Sequence, residues 1–140
     1  MKKNKKNKMV ILYTSAVITL LITFAFQGNK DWKAPDSSKD KKNPIAYSDE
    51  SVAAGKKIYE KECLNCHGKK GRGDGKDAAN QDATVADLTA AKVQAQNDGE
   101  LFWKISEGRK PMPTNKKTLS EDQRWQVTNY VRSLGKAAKK

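Results

Sequence analysis

Residues 63–67 read Cys-Leu-Asn-Cys-His, and the 140-residue sequence contains no other cysteine and no other histidine. A CxxCH run is the attachment pattern of c-type haem. Two thiols at this spacing can add across the two vinyl groups of a haem, and the adjacent imidazole can then reach the iron. The run therefore predicts one covalently bound haem, attached through Cys63 and Cys66, with His67 as the proximal iron ligand.

Other uses of this run fit the sequence less well. A structural zinc site needs four ligands, usually in two separated pairs, whereas this chain offers three and no second pair. A thioredoxin-like redox pair is expected beside a βαβ pattern, but the flanking sequence is typical of helices and glycine-rich loops. A plain disulfide would close a very short loop, for which the loop-entropy account gives little stabilisation. Haem attachment is the favoured interpretation.

The first 26 residues have the features of a membrane-targeting segment. Five lysines precede an uncharged run from Met9 to Phe26. As a helix this run would be about 27 Å long, close to the hydrocarbon thickness of a bilayer. Cleavage as a signal peptide is the alternative, but the one passable site, Thr23-Phe24-Ala25, is poor. We therefore expect a transmembrane anchor with a cytoplasmic N-terminus and the following residues on the periplasmic, extracytoplasmic side.

The sequence after the anchor is polar and basic. Residues 27–45 are rich in Lys, Asp, Ser and Asn, which predicts a flexible tether with an average reach of roughly 25 Å. A folded domain over residues 46–135 and a basic tail over 136–140 complete the predicted organisation. After residue 26 there are 23 basic and 16 acidic residues. That excess suits an acidic protein surface or an anionic membrane, whereas the absence of a clustered basic-aromatic motif disfavours nucleic acid.

Three helices are predicted in the folded part. The first begins near Ser48 or Asp49, either of which is a good N-cap, and runs to about Cys63. The second begins at Asn97 with a capping box and ends at Gly108. The third begins at Ser120 and carries an apolar stripe at helical spacing, formed by Val127, Tyr130, Val131 and Leu134. A shorter helix is expected near Thr89, within an otherwise loop-rich stretch, and no strand is expected.

The second axial ligand follows from elimination. Haem iron in an electron-transfer protein usually has a sixth ligand, and His/Met ligation raises the potential. Met1 is the initiator and Met9 lies in the apolar run, which leaves Met112. Prolines on both sides stiffen its loop, so Met112 is predicted to be the distal ligand. An iron with both axial positions filled has no open site for a substrate, and we therefore expect no enzymatic activity.

The chain resembles the class I cytochromes c, in particular small membrane-anchored monohaem bacterial members. The resemblance covers about residues 48–135 and rests on five motifs: Tyr59-x3-Cys63-x2-Cys66-His67-Gly68, Gly71-x-Gly73-Asp74-Gly75, Ala86-Asp87-Leu88-Thr89, Met112-Pro113 and Tyr130-Val131-Arg132-Ser133-Leu134. It implies an all-α fold of three to four helices around one covalent haem, with the first and last helices crossing near Gly55 and Tyr130. It also implies a proximal His67 and a distal Met112.

One departure from the family concerns the groups around His67. Family members often carry a proline where Lys76 or Val85 stands here, and a proline carbonyl typically accepts the hydrogen bond from Nδ1 of the proximal histidine. Such an acceptor orients the ring and tunes the metal. We expect a backbone carbonyl to serve in this chain, although the sequence does not identify it.

The sequence thus favours a membrane-anchored, monomeric carrier of single electrons between respiratory-chain redox partners. A non-catalytic cytochrome subunit of an oxidase or reductase complex is the alternative, and a haem-based ligand sensor is a weaker one. Five cations near the ligands would either steer acidic partners to the haem edge or serve only as solubilising charge; they are Lys69, Lys70, Arg72, Arg109 and Lys110.

Overall fold

The structure is a computed structural model that describes residues 31–137, and within that range it is helical and contains no strand. Its helices are α1 (Asp49–Glu62), α2 (Leu64–His67), α3 (Ala91–Gln94), α4 (Asp98–Glu107) and α5 (Glu121–Ala137). Two single turns of 3₁₀-helix occur at Asp36–Ser38 and Ala78–Asn80. The three predicted long helices and the all-α fold of the described residues are confirmed.

The helix starts follow from the capping residues. Ser48 caps α1, because its hydroxyl accepts a bond from the Ser51 amide at 3.1 Å while the Ser51 hydroxyl accepts one from the Ser48 amide at 3.0 Å. Asn97 and Glu100 form the predicted capping box of α4. Gly108, with a φ of +66°, ends that helix in a conformation that glycine adopts without strain. The short α3 begins two residues after the predicted Thr89.

The crossing of α1 and α5 is the centre of the fold. At Gly55 a Cβ atom would lie 2.0 Å from the Gln126 carbonyl oxygen and 3.0 Å from the Cβ of Tyr130. Only a glycine allows the two backbones to approach this closely, and the predicted crossing near Gly55 and Tyr130 is confirmed. On one side of the crossing Tyr59, Tyr130 and Leu134 form a buried cluster.

A second cluster joins the shorter helices to α5. It consists of five buried side chains, Val93, Leu101, Ile105, Val127 and Val131, with Ile58 and Leu88 packed against them. A further face of α5 carries Trp125, which is fully buried and stacks on Phe102 with a centroid distance of 3.9 Å. Trp125 therefore packs between α4 and α5.

The described part of the predicted tether does not behave as a tether. The compact unit begins at Lys33, and Ala34 and Ser38 are buried. The Lys41 ammonium lies 4.2 Å from the centroid of the Phe102 ring and 2.9 Å from the Glu121 carboxylate. The prediction of a flexible segment up to residue 45 is therefore wrong for residues 34–45, because these polar residues find partners on α4 and α5. We call residues 34–46 the N-terminal strap.

No helix within residues 31–137 is long and apolar enough to cross a membrane. The predicted anchor, residues 1–26, lies outside the described residues and stays a prediction. The predicted basic tail begins within α5, which continues to Ala137.

Candidate functional site

The CxxCH run lies directly after α1. Cys63 is the C-cap of that helix, and the amide of His67 bonds to the Cys63 carbonyl at 2.9 Å within the short helix α2. Residues three and four apart on a helical turn share one face. The turn therefore brings Cys63, Cys66 and His67 together, with both thiols free and partly accessible.

The His67 ring is oriented by a backbone carbonyl. Its Nδ1 lies 3.2 Å from the carbonyl oxygen of Ala86, which can accept a hydrogen bond from the protonated nitrogen. Burial lowers the pKa of the His67 imidazole, and the hydrogen bond to Ala86 opposes that shift. Nε2 is then the nitrogen with a lone pair for a metal. The expected carbonyl acceptor is found, and it belongs to the residue after Val85.

The position of the Ala86 carbonyl is set by its neighbours. The Asp87 carboxylate accepts hydrogen bonds from the Thr89 amide at 2.8 Å and from the Thr89 hydroxyl at 2.7 Å. Such a turn, closed by an Asp side chain, fixes the backbone around it. The Ala-Asp-Leu-Thr motif noticed in the sequence thus acts on His67 through the backbone, which residue identity alone does not reveal.

The glycine-rich loop after His67 folds back on the CxxCH run. The Gly73 amide bonds to the His67 carbonyl at 2.9 Å, the Gly75 amide to the Cys66 carbonyl at 3.1 Å, and the Asp77 amide to the Asn65 carbonyl at 2.9 Å. A Cβ atom at Gly75 would lie 2.2 Å from the Asn65 carbonyl oxygen. The sequence indicated a loop here, but the pairing of this loop with the attachment residues is visible only in the structure.

The Cys63 thiol faces the interior. It packs against the cluster of Tyr59, Tyr130 and Leu134. Burial, followed by the nearby Glu62 carboxylate, raises the pKa of Cys63 to about 12. The thiol is therefore protonated near neutral pH, and the apolar cluster beside it is a suitable wall for a porphyrin edge.

Met112 lies in the loop between α4 and α5 and is half-buried. Its amide bonds to the Arg109 carbonyl at 2.8 Å, and the Lys110–Pro111 peptide bond is cis. The buried Asn115 braces the loop by donating from its side chain to the Ile105 carbonyl at 2.9 Å. The two halves of the predicted ligand set therefore lie on separate elements, one at the end of α1 and one after α4.

The residues present fit a haem of the c type. Two thiols lie on one turn beside an imidazole whose Nδ1 is already engaged, and a thioether stands in a braced loop. Thiols for thioether bonds, with His nitrogen and Met sulfur as axial donors, form the set such a haem uses. Among residues 31–137, no group of three or more His, Cys, Asp or Glu side chains is arranged to hold a metal ion.

The cations of the two ligand-bearing loops are all exposed: Lys69, Lys70, Arg72, Arg109 and Lys110.

Comparison with known proteins identifies the family. A model of the family described as cytochrome c matches residues 52–135. Among solved structures, a chain of the reducing HAO-like protein complex of Kuenenia stuttgartiensis is similar, with 34% sequence identity and a TM-score of 0.61. The match covers 79% of this chain and 53% of that chain, so this protein spans about half the length of its structural relative. No curated protein matches the sequence. The chain therefore belongs to the cytochrome c family, of the class I type, and its cofactor is a covalently bound haem c.

Proposed function

We propose that this protein is a membrane-anchored monohaem cytochrome that carries single electrons between redox partners. Electron transfer itself follows from the cytochrome c family. The observation that carries the proposed haem site is the geometry of His67, whose ring is held through Nδ1 by the Ala86 carbonyl at 3.2 Å while two thiols lie on the same turn. An imidazole oriented in this way is ready to bind iron through Nε2.

Four residues would hold the haem. Cys63 and Cys66 would form the thioether bonds, His67 would be the proximal ligand and Met112 the distal ligand. When bound, the haem iron supplies the exchange of one electron, and the protein contributes positioning, electrostatics and exclusion of water. The apolar cluster of Tyr59, Tyr130 and Leu134 packs against Cys63, and the braced loop would hold the Met112 thioether available for the iron.

Two features support the proposed partners and location. The exposed cations on both ligand-bearing loops would face a partner that approaches the haem edge, and they suit an acidic docking surface because opposite charge accelerates encounter. The basic, apolar N-terminal sequence supports attachment to the cell membrane with the haem domain on the extracytoplasmic side.

A second candidate is a cytochrome subunit held within a larger redox complex. It is favoured by one observation, namely that the structural relative from Kuenenia stuttgartiensis is part of a multi-protein complex. Extraction in mild detergent followed by size measurement distinguishes the two. A monomer supports the carrier, whereas a stable assembly with other redox proteins supports the subunit.

The ligand set is tested by spectroscopy of the purified holoprotein. A pyridine haemochrome of the c type is expected, and the oxidised protein should show the long-wavelength sulfur-to-iron charge-transfer band. Met112→Ala should abolish that band and lower the reduction potential, because the thioether favours Fe(II). Lys110→Ala, in the same loop, is the control and should retain the band. A Met112→Ala protein with an unchanged spectrum would remove Met112 from the site.

A further inference from the structure

Tyr59 connects α1 to the residue that follows His67. Its side chain is 1% exposed, and its ring packs on Tyr130 with a centroid distance of 4.9 Å. Its hydroxyl donates a buried hydrogen bond of 2.8 Å to the Gly68 carbonyl. A phenylalanine could supply the same packing, so the hydroxyl has a role that the core does not require.

Two backbone hydrogen bonds link the Gly68 carbonyl to the segment that contains Ala86, the acceptor of the His67 ring. The same carbonyl accepts the Gly71 amide at 3.1 Å, and the Gly71 carbonyl accepts the Leu88 amide at 2.6 Å. Leu88 lies two residues after Ala86, whose carbonyl faces the His67 Nδ1.

Gly73 makes a second set of contacts between the same glycine turn and the segment that contains Ala86. The Gly73 amide bonds to the His67 carbonyl at 2.9 Å. A Cβ atom at Gly73 would lie 2.4 Å from the Val85 carbonyl oxygen, so the glycine turn and the segment containing Ala86 are in close backbone contact. The turn over residues 68–73 and the segment over residues 85–88 therefore form one braced unit around His67.

We propose that Tyr59 is a positioning residue for His67: its hydroxyl fixes this braced unit to α1 and so sets the strength of the hydrogen bond between His67 and Ala86. This inference rests on the proposed function, in which His67 is the proximal ligand. The Ala86 carbonyl makes the imidazole a stronger donor to iron. A rigid turn over residues 68–73 preserves the hydrogen bond between His67 and Ala86, whereas a loosened turn weakens it.

The protonation state of Tyr59 agrees with this role. Burial, followed by the nearby Cys63, raises the pKa of its phenol well above the ordinary value. The Tyr59 hydroxyl therefore stays protonated near neutral pH and can donate its hydrogen bond to the Gly68 carbonyl.

The test compares two isosteric variants of the holoprotein. Tyr59→Phe removes the hydroxyl bonded to Gly68 and keeps the ring pair. Tyr130→Phe removes the other hydroxyl of the same pair and serves as the matched control. The measurements are amide hydrogen exchange at Gly71 and Leu88, exchange of the His67 Nδ1 proton, and the reduction potential.

For Tyr59→Phe we expect exchange at these amides and at Nδ1 to be about tenfold faster, in line with the loss of one buried hydrogen bond. The reduction potential should rise, because a weaker imidazole donor stabilises Fe(III) less. Placing a tyrosine fluorinated beside the hydroxyl at position 59 makes a stronger donor and should shift the potential in the opposite direction.

The inference is overturned if Tyr59→Phe and Tyr130→Phe leave Nδ1 exchange and the potential equally unchanged, even if both variants lose stability. It is also overturned if the fluorinated residue has no effect. A failure of the proposed function would look different, because the unmodified protein would then lack a c-type haemochrome or a low-spin spectrum that depends on His67.

Discussion

Gly75 lies where the glycine-rich loop crosses the CxxCH run, and the space there is too small for a side chain. Its amide bonds to the Cys66 carbonyl at 3.1 Å, and the Asn65 carbonyl oxygen occupies the direction in which a Cβ would point. The attachment residues are therefore placed by backbone contacts as well as by α2. This kind of dependence is local, and single substitutions should expose it.

Gly75→Ala should lower the yield of holoprotein severalfold. The added methyl would come within 2.2 Å of the Asn65 carbonyl oxygen, so the loop or the CxxCH run must shift and the thiols leave their positions. The haem content per protein, measured by pyridine haemochrome, reports the effect. Lys76→Ala, an exposed neighbour, is the control. A fully loaded Gly75→Ala protein would show that the loop does not position the thiols.

Asp87→Asn should make the free energy of unfolding depend less on pH in the acid range. The hydrogen bond from the Thr89 hydroxyl lowers the pKa of the Asp87 carboxyl below its ordinary value. A carboxyl with a lowered folded-state pKa contributes stability that is present above the unfolded-state value near 3.9 and is lost as the pH falls through the folded-state value. The variant should therefore be less stable than the parent at pH 7, and this difference should shrink below about pH 4.

Urea unfolding of the holoprotein at several pH values between neutral and acid measures this difference. Asp82→Asn, at an exposed position of the same loop, serves as the comparison. Parallel pH profiles for the parent and Asp87→Asn would mean that the carboxylate contributes nothing through its charge.

At the scale of elements, the crossing of α1 and α5 determines where the CxxCH run can lie. Gly55 permits the two helices to approach each other. Tyr59 lies one turn after Gly55 and one turn before Cys63, and its ring packs on Tyr130. The attachment site is thus the continuation of a packed helix, and a change in the crossing would move it.

Gly55→Ala should destabilise the protein by about 1–3 kcal/mol, although alanine is the better helix former. The new Cβ would lie 2.0 Å from the Gln126 carbonyl oxygen. Because that oxygen belongs to the backbone, it cannot rotate away. Ala53→Gly, at an exposed position of α1, should cost about 1 kcal/mol through propensity alone. Denaturant midpoints of both variants give the comparison, and a gain in stability for Gly55→Ala would indicate a wider crossing.

The helices were predictable because their signals are local. Ser48, Asn97 and Ser120 cap helices where the sequence places them, and the apolar stripe on α5 is buried. The Ala86 acceptor was not identifiable, because it lies 19 residues from His67 and acts through its backbone. The pairing of the glycine-rich loop was missed for the same reason, since a hydrogen bond between main-chain groups leaves no mark on side-chain identity.

At the scale of the molecule, the packed unit is longer than the part of the chain that the family model matches. It begins at Lys33, whereas the match to the family model begins at residue 52. The strap was missed because its composition is that of a disordered linker, while its contacts are specific polar ones.

Asn129 is the residue of α5 that holds the end of the strap. It is 2% exposed, and its side-chain amide donates to the carbonyls of Ile45 and Ala46 at 3.2 and 3.3 Å. Its Oδ1 accepts from the Asn43 side chain at 2.8 Å, and its amide also reaches the Ser51 hydroxyl at 3.1 Å. One buried side chain therefore joins the strap, the start of α1 and α5.

Asn129→Ala should release the strap before the rest of the domain unfolds. It leaves several buried groups without partners, for which we expect a loss of about 2–4 kcal/mol. Asn43→Ala removes two part-buried hydrogen bonds, one to the Asn129 side chain and one from the Ile45 amide, and should cost about 1–2 kcal/mol. Limited proteolysis of the holoprotein measures the local effect, since a segment that opens on its own is cleaved faster than global unfolding allows. We expect rapid cleavage within residues 34–46 only for Asn129→Ala. Equally rapid cleavage in the unmodified protein would mean that the segment is the flexible tether its composition predicts.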